Sequence, residues 1–130
     1  MSEVEASSPH VAVVLNRDLM FGSRVRSALK ALGMEARVVP NGDQFVEALR
    51  EDPAAVAIAI IDMNGEVDWP VIGQALRGDE GAIPTIAFGS HMDVDNLRAA
   101  KASGATRVVS NGQFHREMTA LIERYRRPRA

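Results

Sequence analysis

Residues 56–63 read VAIAIIDM: six apolar residues, then an aspartate and a methionine. A run this short, rich in Val and Ile and apolar at every position, suits a strand covered on both faces, because a strand with one wet face alternates instead. On either side of it, short runs rich in Val and Ile lie at Val11–Leu15 (VAVVL), Glu35–Val39 (EARVV), residues 85–88 (TIAF) and Arg107–Ser110 (RVVS). Longer stretches of helical period separate them. That alternation builds a parallel sheet with helices on both faces.

The intervening segments carry the helix signals. Phe21, Val25, Ala28, Leu29 and Leu32 form one stripe, and Gly33 follows as a stop. A second helix is predicted over residues 43–51, with Phe45, Val46, Ala48 and Leu49 inward, opened by Asn41-Gly42-Asp43 and closed before Pro53. The third opens at Asp68-Trp69-Pro70, where proline suits a first helical turn, and runs through Val71, Ile72, Ala75 and Leu76 to Gly78. The fourth has Asp93 as cap and Val94, Leu97 and Ala100 before Gly104. The last places Phe114, Met118, Leu121, Ile122 and Tyr125 on one stripe. Five strands, each followed by a helix with right-handed crossovers, predict an α/β chain: a (βα)5 flavodoxin-like three-layer sandwich with a parallel sheet of order 2-1-3-4-5. The domain is expected over residues 11–125. Residues 1–10 (MSEVEASSPH) read as a loose arm, and residues 126–130 as a basic tail in which Arg126, Arg127 and Arg129, with Arg124 before them, are solvated.

Composition narrows the function classes. At 130 residues with 46% hydrophobic content, the chain fits one domain and not two. A net charge of −2 gives no basic field for collecting phosphates, so nucleic acid is not an expected partner. The sequence has no cysteine, which removes disulfides, thiolate metal sites and thiol nucleophiles. It also has no secretory pattern or apolar run of membrane-spanning length, so no membrane association and a cytoplasmic location are expected.

In a sheet of this order, chemistry sits at the carboxyl ends of strands 1, 3, 4 and 5. Those ends carry Asn16-Arg17-Asp18, Asp62-Met63-Asn64, Gly89-Ser90-His91 and Ser110-Asn111-Gly112. Leu29-Lys30-Ala31-Leu32-Gly33, Ile60-Ile61-Asp62-Met63 and Ile83-Pro84-Thr85-Ile86 stand in the order and spacing of the receiver domain of bacterial response regulators. The chain resembles that family, the CheY-like receivers, from about residue 11 to residue 125. The resemblance implies a phospho-accepting aspartate at Asp62. It also implies an acidic pair after strand 1 holding Mg²⁺, a Thr or Ser after strand 4, and a Lys after strand 5. Of these, only Asp62 is kept. Asn16 and Arg17 stand at the acidic pair, with Asp18 one position late; Gly89 stands at the hydroxyl position, with Ser90 next; Ser110 replaces the Lys, and Asn111 the proline after it.

Mg²⁺ is therefore expected to bind poorly, with Asp18 and Asp62 the carboxylates left for it, and no other metal or cofactor is expected. Asp62 is open to two readings, a live phospho-acceptor or a remnant carboxylate paired with Arg17; we favour the pairing, since a buried carboxylate without a partner is costly. His91 reads as a loop residue and not a ligand. Trp69 reads as a helix-start packing residue or a docking anchor. The expected function is a non-enzymatic pseudo-receiver: a phosphorylation-independent interaction module of two-component signalling, stand-alone or part of a longer regulator. Its partner would be a histidine kinase, another receiver or an output domain. A homodimer through the face of the fourth helix, last strand and last helix is implied by the resemblance. The alternatives are a degenerate but active receiver phosphorylated on Asp62 and, from another class, a small flavodoxin-like nucleotide binder. The latter lacks a G-x-G-x-x-G after strand 1 and a P-loop.

Overall fold

The computed structural model describes residues 9–77 and 81–128. Residues 1–8 of the expected arm, the Gly78 helix stop and Arg129 lie outside the described residues. Five parallel strands, β1 (Val11–Leu15), β2 (Glu35–Val39), β3 (Val56–Asp62), β4 (Thr85–Gly89) and β5 (Arg107–Ser110), form one sheet in the order β2-β1-β3-β4-β5. The α-helices among the described residues are α1 (Leu19–Ala31), α2 (Gly42–Glu51), α3 (Trp69–Arg77), α4 (Val94–Ala102) and α5 (Asn111–Tyr125). The predicted flavodoxin-like fold and strand order are those observed.

Because successive strand residues face opposite sides, the apolar strands feed two cores. Val13, Leu15, Ala59, Ile61 and Ala87 pack with Phe45, Leu49, Trp69, Ile72 and Leu76 on the α2–α3–α4 side. Ala12, Val14, Ile58, Ile60, Ile86 and Phe88 pack with Phe21, Val25, Leu29, Phe114 and Ile122 on the α1–α5 side. This explains why VAIAII has no polar position: β3 is central, and all six residues are buried. Strand β2 lies at an edge, and its EARVV pattern is correspondingly half wet.

The helix ends follow their signals. Asn41 and Asp93 cap α2 and α4 by accepting the backbone N–H groups of Gln44 and Asn96. Gly33 and Gly104 take φ of 76° and 101° just beyond α1 and α4, a region open to glycine at little cost. Two helix starts use residues that the sequence reading places at the candidate site. Asp18 is the N-cap of α1, accepting from the backbone N–H of Met20 and Phe21. Helix α5 begins at Asn111 with Ser110, the last residue of β5, as its cap, so no loop separates strand from helix.

The basic end is not a solvated tail where it is described. Arg127 donates its backbone N–H to the carbonyl of Ala57 at 2.9 Å, and its guanidinium to those of Pro53 and Val56 at 3.1 and 3.2 Å. Arg126 donates to the carbonyl of Leu32 at 3.2 Å. Both residues thus bind carbonyls at the amino-terminal edge of the sheet, far from the carboxyl ends that carry the candidate chemistry. His10, read as part of the arm, also joins this edge, donating to Ala55 and accepting from Glu35. Arg127→Ala is expected to lower unfolding free energy by about 1–3 kcal/mol, the usual cost of stranding partly buried carbonyls. Urea denaturation, with Arg124→Ala as an exposed control, checks this.

Candidate functional site at the carboxyl edge of the sheet

Asp62 ends β3 between the ends of β1 and β4, half-buried at the wall of a cleft of about 490 Å³. Leu15, Asn16, Arg17, Asp18, Asn64, Gly65 and Glu66 complete the lining. Asn16, 5% exposed, directs its side-chain amide at Asp62 and donates to Oδ2 at 2.7 Å. The other carboxylate oxygen, Oδ1, accepts the backbone N–H of Asn64 at 2.9 Å and its side-chain Nδ2 at 2.6 Å. The carboxylate is therefore satisfied by neutral amides, each filling a lone pair that a cation would otherwise use.

The network extends to β5. Asn64 and Asn111 exchange a reciprocal pair of amide bonds, Asn64 Nδ2 to Asn111 Oδ1 at 2.9 Å and Asn111 Nδ2 to Asn64 Oδ1 at 3.1 Å. Asn16, Asp62, Asn64 and Asn111 thus form a chain of side chains across three strand ends. The sequence reading named each residue but did not place Asn111 in contact with Asn64. The signal available was that both follow the carboxyl ends of strands that flank β4 in the order 2-1-3-4-5.

The expected Arg17–Asp62 pair is not formed. Arg17 Nε donates to the carbonyl of Pro40 at 2.8 Å, beyond the end of β2, while its guanidinium also lies over Gly65. Among the described residues the ion pairs are His10–Glu35 and Arg37–Glu51, neither at the cleft. Asn16, nearer and already inside the edge, supplies the polar partner that Arg17 was expected to supply. Asp18 is also placed differently from a slipped metal ligand: its Oδ1 caps α1, at 2.9 Å from Met20 N and 3.3 Å from Phe21 N.

The strand 4 position is filled by packing. A Cβ on Gly89 would lie 3.0 Å from Met63 Cβ, and Met63 is buried. Ser90 accepts the backbone N–H of Met92 at 3.2 Å in a local turn, and Ser110 accepts that of Gln113 at 3.1 Å. Neither hydroxyl bonds to Asp62. His91 is exposed on the turn before α4. Trp69 is buried, its indole N–H donating to Asn96 Oδ1 at 2.7 Å, and Asn96 in turn donates to the Met63 carbonyl at 3.1 Å. That makes Trp69 a packing residue, and ties the segment after Asp62 to α4.

Mg²⁺ asks for several hard oxygens in octahedral array. Of the three carboxylates lining the cleft, Asp62 is occupied by three N–H donors, Asp18 is turned to a helix end and Glu66 is exposed, and a guanidinium lines the cleft beside them. These residues do not fit the ion, and among the described residues no group of three or more His, Cys, Asp or Glu side chains is placed to hold a metal.

The sheet order and the aspartate at the end of its central strand define a domain of the CheY-like receiver fold. Solved structures agree. The receiver domain of the TMAO respiratory system response regulator TorR superposes with a TM-score of 0.74 at 19% identity, covering 89% of this chain and 95% of that one. A response regulator receiver protein from Burkholderia phymatum gives 0.65 at 25% identity, covering 88% and 95%. Full-length FixJ from B. japonicum gives 0.68 at 19% identity, covering 89% of this chain but 56% of that one. No protein-family model and no curated protein matches the sequence. No helix among the described residues is long and apolar enough to cross a membrane.

Proposed function

We propose that this chain is a receiver-fold module of two-component signal transduction that works through protein contacts and without phosphotransfer or other catalysis. The observation that carries this reading is the state of Asp62, held by the amides of Asn16 and Asn64 with no described ion pair at the cleft. Phosphoryl transfer to a carboxylate needs cations that neutralise the transferred oxygens. Here an asparagine bonded to Asp62, an arginine engaged with a carbonyl, and a serine capping a helix stand where the acidic pair and the lysine would be. The partner is of the kind receivers contact: a histidine kinase, another receiver or an output domain. The contact region favoured is the α4–β5–α5 face, where Met92 and Val94 expose 77% and 49% of their surface at the entrance to α4; a homodimer through the same face is part of this reading.

The test is intact mass after treatment with acetyl phosphate and Mg²⁺, with Trp69 fluorescence followed as beryllofluoride is added. Trp69 reports on the site because Asn96 links it to the Met63 carbonyl beside Asp62. No mass gain and no fluorescence change are expected. A phosphoryl adduct that disappears in Asp62→Ala overturns the reading and makes the chain a working receiver.

A further inference from the structure

Asparagine followed by glycine occurs at Asn41-Gly42, Asn64-Gly65 and Asn111-Gly112. This dipeptide is prone to a self-reaction, because a glycine N–H carries no neighbouring side chain to shield its approach to the preceding amide carbon and its backbone adopts the required geometry at little cost. The structure separates the three. Gly42 is already in α2, where helical backbone holds its nitrogen away from the Asn41 side chain. Asn111 and Gly112 both lie in the first turn of α5, where helical backbone holds the following nitrogen away from the side chain. Asn64 and Gly65 lie in an exposed turn outside any helix or strand. In addition, Asn64 Oδ1 accepts from Asn111 Nδ2 at 3.1 Å. That donor sits where negative charge develops when the amide carbon is attacked.

We propose that Asn64 is a deamidation site that recharges the cleft. The Gly65 nitrogen loses its proton and bonds to Asn64 Cγ; the Cγ–Nδ2 bond then breaks, and the nitrogen leaves as ammonia. Water opens the cyclic imide to an aspartate or isoaspartate at position 64. The amide that gave Asp62 a bond of 2.6 Å and Asn111 one of 2.9 Å is thereby replaced by a carboxylate facing the carboxylate of Asp62. Like charges at that spacing repel, so the turn after β3 loosens. The modification is independent of whether Asp62 accepts phosphate, since it needs only water and the turn.

Peptide mapping by mass spectrometry of protein incubated at mildly alkaline pH reads each Asn-Gly separately. The Asn64 peptide is expected to convert first. Gly65→Ala is expected to slow it about tenfold, a barrier change of about 1.4 kcal/mol; the new Cβ would meet Arg17 Nη1 at 3.7 Å, an ordinary contact, so the variant is expected to fold. Asn111→Ala is expected to slow it as well, whereas loss of a purely structural bond would loosen the turn and speed it. Conversion of Asn41 or Asn111 ahead of Asn64, or an Asn64 rate unchanged by Gly65→Ala, overturns the proposal.

Discussion

A variant carrying Asn16→Asp, Arg17→Asp and Ser110→Lys together is expected to bind Mg²⁺ saturably and to take a phosphoryl group on Asp62 from acetyl phosphate, where the parent is expected to do neither. The changes act chiefly on charge, although Ser110→Lys also removes the cap of α5 and Arg17→Asp the bond to the Pro40 carbonyl. A unit charge pair at 4 Å is worth roughly 4 kcal/mol at an effective dielectric of 20. Even after discounting for solvent in an open cleft, exchanging an amide and a cation for two carboxylates should raise Mg²⁺ affinity by about a hundredfold or more. The cost appears without metal. The Asn16→Asp change replaces an amide that donates to Asp62 at 2.7 Å with a like charge, at a position only 5% exposed. That should destabilise the fold by about 3 kcal/mol. Thermal melts of the variant should therefore shift upward on adding Mg²⁺, while the parent's melt stays put. Gly89 is left unchanged, because a Cβ there would sit 3.0 Å from Met63 Cβ and a threonine would overpack the strand end. A triple variant that melts as the parent does, with no Mg²⁺ response, would show that these three positions do not govern metal binding at the cleft.

How much of this was legible in the sequence depends on how local the determinant is. Residues 56–61 are apolar throughout because β3 is covered on both faces, and that burial is written residue by residue. The helix stops at Gly33 and Gly104 are equally local, each resting on one glycine at positive φ. The identity of the edge residues follows from strand order, so Asn16, Asp62, Asn64 and Ser110 could be assembled at one end before any coordinates. Their mutual contacts could not. Arg17 has a long side chain that can choose among several acceptors, and a carbonyl beyond β2 is within its reach, so proximity in sequence to the sheet edge did not decide its partner. Asp18 illustrates a competing local rule: a carboxylate one residue before a helix is claimed by the free N–H groups there, ahead of any distant metal site. The same competition takes Ser90 and Ser110, whose hydroxyls accept from backbone N–H groups two and three residues on. At the other end of the molecule, Arg126 and Arg127 read as solvated by composition, yet carbonyls at the amino-terminal sheet edge offered them acceptors that only the folded topology brings near.

Phe88→Ala is expected to be the most destabilising single substitution near the site, costing about 3–5 kcal/mol, much of what holds a domain of this size together. Phe88 is 1% exposed and its ring stacks on Phe114 with centroids 4.3 Å apart, while Phe21 lies tilted at 5.0 Å. One side chain from β4 therefore joins α1 and α5, the helices that cover one face of the sheet. The effect should reach the cleft, because the Phe88 carbonyl accepts the backbone N–H of Met63 at 2.8 Å, just after Asp62. A melting shift of about 10–20 °C is expected by circular dichroism, given the usual few degrees per kcal/mol at this length. Leu19→Ala, with its side chain 90% exposed at the start of α1, should shift the melt little and serves as the control. If Phe88→Ala melted near the parent, the aromatic cluster would not be what seats α1 and α5 on the sheet. The aliphatic contacts of Val25, Leu29 and Ile122, which share that core, would then be carrying the face on their own.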